Sequence, residues 1–354
     1  TAILGSCYLL IVDERLFDAV RRCLIEAGVP KDVTMILAAT HTHSGPGAYG
    51  SRFAEKISMG HYDPQVVERL VDAITRAILR ARERLIPIRI ASQATKTSGL
   101  ITNRVVAEGL TDPELALSAL YAYDTATPLA VAINFAAHPT TLGAWNRWLS
   151  ADYPGVAVHE IERQLPGAHG LFFAGAVGDQ APVKTGTAYE PVHRIGQALG
   201  DEAVTLLRHA QPAIPRYLRS AQESMRLPLA QVRLSSRLTL PRWMSRRLVD
   251  DDATLSVILL GETVFFGVPC DLDAELGLAL KEAARSRGLQ PMIIGFASDY
   301  IGYCVAEARY ASGAYEALMA FNGPTTGRLI VDRLIEMLDR VVGTRDVGHG
   351  TRSQ

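Results

Sequence analysis

Several short, β-prone apolar runs in this chain stop abruptly at side chains able to do chemistry, and that pattern constrains the fold more than any other feature. Val33–Ala39 runs into Thr40-His41-Thr42-His43-Ser44-Gly45-Pro46-Gly47, Leu129–Phe135 into Ala136-Ala137-His138-Pro139, and Leu171–Ala174 into Gly175-Ala176-Val177-Gly178-Asp179. Thr263–Val268, expected to pair with Ser256–Leu260 across a Gly261-Glu262 turn, runs into Pro269-Cys270-Asp271. Met292–Phe296 runs into Ser298-Asp299-Tyr300-Ile301-Gly302-Tyr303. Amphipathic helices are expected between and around these runs. Residues 14–27 place Leu16, Val20, Leu24 and Ala27 on one face, and 64–85 open with Asp63-Pro64, a good N-cap and first-turn pair. Residues 193–209 and 328–341 show the same period. Near-continuous apolar strands alternating with such helices predict an α/β protein, with mixed β-sheets flanked by helices in αβα layers. Sites in such folds gather beyond the carboxyl ends of the strands, so that rim is where a site is expected.

Composition narrows the function classes. The chain has 354 residues and a formal net charge of −1, which argues against a nucleic-acid-binding surface while leaving local basic patches open. No apolar run approaches the roughly 18–20 residues of a membrane-spanning helix. The four cysteines, Cys7, Cys23, Cys270 and Cys304, form no CxxC pair, against a disulfide scaffold and a zinc ribbon. A single domain over 1–343 with a flexible tail at 344–354 is expected, in a cytoplasmic protein. Because the chain starts at Thr1 without a Met, a secreted protein stays open, as does a homo-oligomer.

His41 and His43 are one residue apart, so in an extended segment both side chains point to the same side. This HxH spacing alone leaves metal ligands and structural histidines both open. His138 at a second strand end favours the metal, because metal sites assemble from separate strands. Asp271 and a tyrosine are candidate oxygen ligands. A His/His/carboxylate set with an open position is the pattern of a catalytic zinc. Gly175–Asp179 lacks the Lys-Ser/Thr of a P-loop and the GxGxxG spacing, and reads as a tight turn at the site. No GxSxG nucleophile elbow is present. Cys270 reads as a packing residue, and Trp145 and Trp148 as candidate walls of a substrate pocket.

The motif Thr40-His41-Thr42-His43-Ser44-Gly45-Pro46-Gly47 resembles the signature of the neutral (non-lysosomal) ceramidase family, and further segments follow in the family's order. Asn103-Arg104 with Asp112-Pro113-Glu114, Asn134–Thr140 around His138, and Ser150–Gly155 are similar to its motifs. So are Phe173–Pro182, Pro269-Cys270-Asp271, and Ser298–Tyr303 with Tyr315. The resemblance implies the catalytic domain only, with zinc held by His41, His138, Asp271 and Tyr303. It implies that His43, Arg104 and Tyr315 contact the substrate or polarise its carbonyl, and Gly45, Trp145 and Asp179 are expected around the substrate. Three positions depart from the family: Ala181 stands for its loop serine, Asp271 for its ligand Glu, and Cys270 for the preceding Gly. The expected function is a zinc-dependent hydrolase of an amide (or ester) bond in an acylated or hydrophobic small molecule, using metal-activated water without the serine. The alternative is a biosynthetic enzyme using the same zinc for acyl or carbonyl chemistry, such as cyclisation or transfer.

Overall fold

Strand Glu114–Ala122 sends Leu115, Leu117 and Ala119 to one face and Ala116 and Ser118 to the other, and both faces are buried. A strand hidden on both sides lies between two packed layers, and the same holds for Asp252–Leu260 in a second sheet. The computed structural model describes residues 1–235 and 238–343, without the side chains of residues 53, 54, 246 and 247. The tail expected at 344–354 lies outside the described residues.

The first sheet runs Ile88–Lys96, Glu114–Ala122, Pro128–Phe135, His169–Ala174, with two antiparallel pairings followed by a parallel one. The second runs Leu218–Arg226, Asp252–Leu260, Thr263–Gly267, Gln290–Ile294, again two antiparallel pairings and then a parallel one. In each, a helix makes the parallel crossover: Asp152–Gln164 in the first and Ala274–Arg285 in the second. The two halves therefore repeat one topology. Between the second and third strands of this sheet, Leu260 pairs with Thr263 across Gly261, whose φ of +58° suits the tight hairpin anticipated there.

The mixed α/β class matches the reading of the sequence, and packing sets the layer order. Ala116, Ala132 and Phe173 of one sheet meet Ile258, Phe265, Met292 and Ile294 of the other in a shared inner core. The outer face of the first sheet packs with helices Glu14–Glu26, Asp152–Gln164 and Glu190–Leu207. That of the second packs with Ala274–Arg285 and Thr326–Gly343. The order is helix, sheet, sheet, helix, a doubled form of the αβα arrangement. A parallel pair, Ala2–Cys7 with Thr34–Ala39, joins these layers, and its first strand has no counterpart in the sequence reading. Helix Glu14–Glu26 buries Leu16, Val20 and Leu24 as expected, while Ala27 is its exposed C-cap. The chain exits from strands Thr34–Ala39, Pro128–Phe135, Thr263–Gly267 and Gln290–Ile294 lead to His41, His138, Asp271 and Tyr303.

Candidate metal centre

His41 has φ +65°, a left-handed backbone that β-region neighbours do not share. The two histidines of the HxH motif thus converge through a sharp turn, correcting the expectation of one extended segment. The strain is held by tertiary contacts. The His41 ring stacks on Phe296 at 3.7 Å and 4°, and its Nδ1 donates to the Leu10 carbonyl at 2.7 Å. His138 Nδ1 likewise donates to the Val177 carbonyl at 3.0 Å. A carbonyl only accepts, so each ring carries its proton on Nδ1 and turns an Nε2 lone pair inward.

These two Nε2 atoms face each other at 3.0 Å, and His43 Nε2 lies 3.3 Å from that of His41. Asp271 Oδ1 is 3.3 Å from His138 Nε2 and 3.7 Å from His41 Nε2. That oxygen is buried with no hydrogen-bond partner, while Oδ2 accepts from the Tyr300 hydroxyl at 2.8 Å. Burial drives the pKa of His41 and of His138 well below the usual imidazole value, with neighbouring histidines and Arg104 adding to it. His43 is lowered to about 4 by burial, then Arg104 and Lys184. These shifts favour neutral rings, whose Nε2 lone pairs converge in the site. Burial pushes Asp271 up to about 7 against the opposing Tyr300 hydrogen bond and Arg104. Converging lone pairs beside an orphaned carboxylate oxygen repel one another unless a cation lies among them, and this nitrogen and oxygen donor set fits zinc. His43, expected outside the ligand set, lies close to it: the candidate ligand atoms of His41, His43 and His138 all lie within 4.8 Å of one another.

Tyr303 sits beside this group, its ring stacked on His138 at 6.5 Å. Its hydroxyl accepts from Arg104 Nη2 at 2.9 Å, and its pKa is raised by burial and by Asp271. Arg104 Nη2 also donates to the Gly178 carbonyl at 2.8 Å, and Nε pairs with Glu316 at 2.9 Å. Tyr315 stands edge-on to Tyr303 at 5.6 Å. These groups open on a cavity of about 640 Å³, walled by His41, His43, Gly45, Tyr303 and Tyr315, by apolar Met59, Val249 and Phe321, and by Arg52 and Glu55. Gly45 also meets a packing need, because a Cβ there would lie 2.9 Å from the Tyr8 carbonyl oxygen.

Two expected substrate contacts lie elsewhere. Asp179 is 0% exposed, and its carboxylate accepts from Asn103, Gln180, the Ala274 amide and Arg309, which lowers its pKa overall despite burial. It holds the loop that carries Val177 and Gly178, and with them His138 and Arg104. Trp145 packs on Tyr189 at 5.6 Å, apart from the cavity wall. Ala181 lies in the short strand Gln180–Pro182, paired with Thr102. Cys270 is buried in the second core, as read. Residues absent from the sequence reading are the Leu10 carbonyl, Glu316, Arg309, Arg52 and Glu55. Only Glu316, next to Tyr315, had a sequence cue.

Comparison with known proteins bears on this site. Residues 28–188 match the profile of "Neutral/alkaline non-lysosomal ceramidase, N-terminal". The neutral ceramidase of Pseudomonas aeruginosa is 30% identical over 159 residues, 42% of this chain and 24% of that protein. The Drosophila melanogaster neutral ceramidase is 26% identical over 166 residues, 41% of this chain and 24% of that protein. The matched stretch thus spans about a quarter of these relatives. A solved neutral ceramidase of P. aeruginosa superposes with a TM-score of 0.85 at 18% identity, covering 99% of this chain and 68% of that one. A structure titled "Ceramidase complexed with C2" gives 0.86 at 18%, covering 99% and 69%. The family resemblance read from the motifs is borne out. His41, His43, Arg104 and His138 fall within the matched profile, whereas Asp271, Tyr303 and Tyr315 fall beyond it.

Proposed function

On the premise that this chain is a relative of the neutral/alkaline ceramidases, we propose that it is a zinc-dependent hydrolase of an amide bond in an acylated, lipid-like substrate. The observation that carries this reading is the unpartnered Asp271 Oδ1 facing the inward Nε2 atoms of His41 and His138. These residues would hold the ion, with Tyr303 beside them. When bound, zinc supplies a Lewis acid that lowers the pKa of water to roughly 7 and polarises a carbonyl.

The remaining work falls to the chain's own groups. His43 is neutral near pH 7, and its ring is partly open to the cavity, so its Nε2 can accept a proton and return it to the leaving amine. Arg104 spends Nη2 on Gly178 and Tyr303, and thereby fixes the Tyr303 hydroxyl rather than the substrate directly. Tyr315, 59% exposed on the cavity wall, keeps its hydroxyl available to an oxyanion. The apolar wall of Met59, Val249 and Phe321 suits an acyl chain. Ala181 carries a methyl where the family's serine stands, so no acyl ester can form at that position and water attacks the carbonyl directly.

The test pairs metal analysis with turnover of a panel of N-acyl substrates. Purified protein is expected to carry about one zinc per chain. His41→Ala and His138→Ala are expected to lose metal and activity together, and no acylated enzyme is expected by intact-mass analysis during turnover. Full metal occupancy in both variants would sink the assignment. A zinc-loaded protein that hydrolyses no amide or ester would turn the reading toward cyclisation or transfer.

A further inference from the structure

The chain has three tryptophans, and all are exposed: Trp145 at 53%, Trp148 at 77% and Trp243 at 62%. A soluble fold usually hides most of an indole, and all three lie on segments tied to the surroundings of the same cavity. Trp145 and Trp148 ride on a loop fastened to Ser44, the residue before the cavity wall at Gly45. Asn146 donates to Ser44 Oγ at 3.0 Å and to the Trp148 carbonyl at 2.8 Å, and the Ser150 amide donates to the Ser44 carbonyl at 2.9 Å. Trp243 lies in the first turn of helix Arg242–Leu248, whose end supplies Leu248 and Val249 to the same cavity. The segment before that helix is pinned to the cavity too, through the Gln231 amide on the Phe321 carbonyl at 2.6 Å. Both segments are held in place while showing their apolar side chains: Leu149, Leu234 and Leu238 are 78%, 57% and 57% exposed.

Charge sets these segments apart from the rest of the chain. Against a net charge of −1 overall, residues 143–149 and 227–249 contain no Asp or Glu, and among their described side chains Arg147 and Arg242 are exposed, whereas Arg233 is held over Tyr310. Exposed indoles and leucines interspersed with arginine make the composition of a segment that lies in a membrane interface, with the cations favouring anionic headgroups.

We propose that these two cavity-bordering segments dock the protein on an anionic lipid bilayer. Docked there, the cavity's apolar wall adjoins the acyl region, and a lipid chain reaches the site without crossing bulk water. In its purpose the proposal rests on the lipid-substrate reading above, so its test reads docking without turnover. Because every tryptophan lies in the proposed surface, intrinsic fluorescence reports on that surface directly.

The experiment uses flotation and tryptophan emission with vesicles of phosphatidylcholine alone and of an equimolar mixture with phosphatidylglycerol. The protein is expected to float with the mixed vesicles, shift its emission to the blue, and release as salt is raised. The Trp148→Ala/Trp243→Ala double variant, with unchanged circular dichroism and Tm, is expected to lose at least about tenfold in partitioning. Arg147→Glu/Arg242→Glu, which retains the indoles, is expected to lose the preference for anionic vesicles. His41→Ala, unable to turn over, is expected to float like the parent protein, so failure of the hydrolase reading and failure of docking are read separately. Absence of flotation and blue shift, or double variants that bind as the parent does, overturns the proposal. So does a vesicle-free dimer that the tryptophan variant dissolves, since the surface's occupant is then a second copy.

Discussion

At the residue scale, Asp271 concentrates the chemistry, and its two oxygens have different tasks. Oδ2 is anchored by Tyr300, while Oδ1 faces the histidines with nothing to bind. The Tyr300 hydrogen bond stabilises the carboxylate, holding down a pKa that burial has already raised to about 7. Removing it in Tyr300→Phe raises that pKa further, so the carboxylate forms only at higher pH. The pH midpoint for zinc uptake by metal-free protein is therefore expected to move in the alkaline direction, measured by competition with a chelator across pH. A midpoint that stays put or moves to lower pH would contradict this assignment. The HxH spacing identified both histidines, but their convergence depends on the left-handed His41 and on the Phe296 stack, which spacing does not encode.

At the scale of elements, the short 3₁₀ helix Glu307–Ser312 and helix Tyr315–Leu318 bring Tyr315 and Glu316 to the cavity, and arginines hold them there. Arg309 reaches the buried carboxylates of Asp179 at 2.6 Å and Asp273 at 2.9 Å. Arg233 lies over the Tyr310 ring at 3.7 Å and donates to the Tyr310 and Ala317 carbonyls. Arg309→Gln leaves both carboxylates without their cation, and breaking a buried pair in this way costs about 3–5 kcal/mol. Loss of denaturant stability in that range is expected, with hydrogen exchange accelerating first across residues 305–321. Uniform acceleration over the whole chain would show that Arg309 does not act on this segment. A second effect follows at the active centre. Asp179 supports the loop of Val177 and Gly178, so the same variant is expected to raise KM and weaken zinc binding together. Gly178 belongs to this assembly, since a Cβ there would come within 2.8 Å of the Asp271 carbonyl oxygen.

At the scale of the whole molecule, the packed layers bury acids that the unfolded chain leaves in water. Asp299 is 4% exposed and raised to about 7, chiefly by burial and then by Asp250 and Glu14 against backbone hydrogen bonds from Tyr300 and Thr254. Its folded pKa lies above the ~3.9 of an unfolded aspartate, so the folded state holds the proton more tightly. Between about pH 4 and 7 this group therefore makes stability fall as pH rises. Asp299→Asn is expected to flatten that slope and to raise stability relative to the parent above pH 7, read from urea midpoints across pH. Comparing the two proteins cancels the contributions of Asp271 and Asp273. An equal slope in both would show that Asp299 ionises freely in the fold.

What the sequence determined by itself was local. Period-3.6 burial made helix Glu14–Glu26 readable, the Asp63-Pro64 pair marked the start of Pro64–Arg82, and apolar runs ending at His41, His138 and Asp271 marked strand exits. Ordered motifs carried the family resemblance as well. These signals survive in one dimension because covalent geometry fixes the repeat of a helix or strand, whatever surrounds it. The tertiary structure alone decided the doubled sheet, the approach of His43 to His41 and His138, and the burial of Asp179. Each depends on partners far apart in the chain: 97 residues separate His41 from His138, and 130 separate Arg309 from Asp179. Asp179 illustrates the limit most clearly. A carboxylate at a strand exit has the same local sequence whether it faces a ligand or a ring of donors, and only the tertiary structure places this one, buried, among four donors.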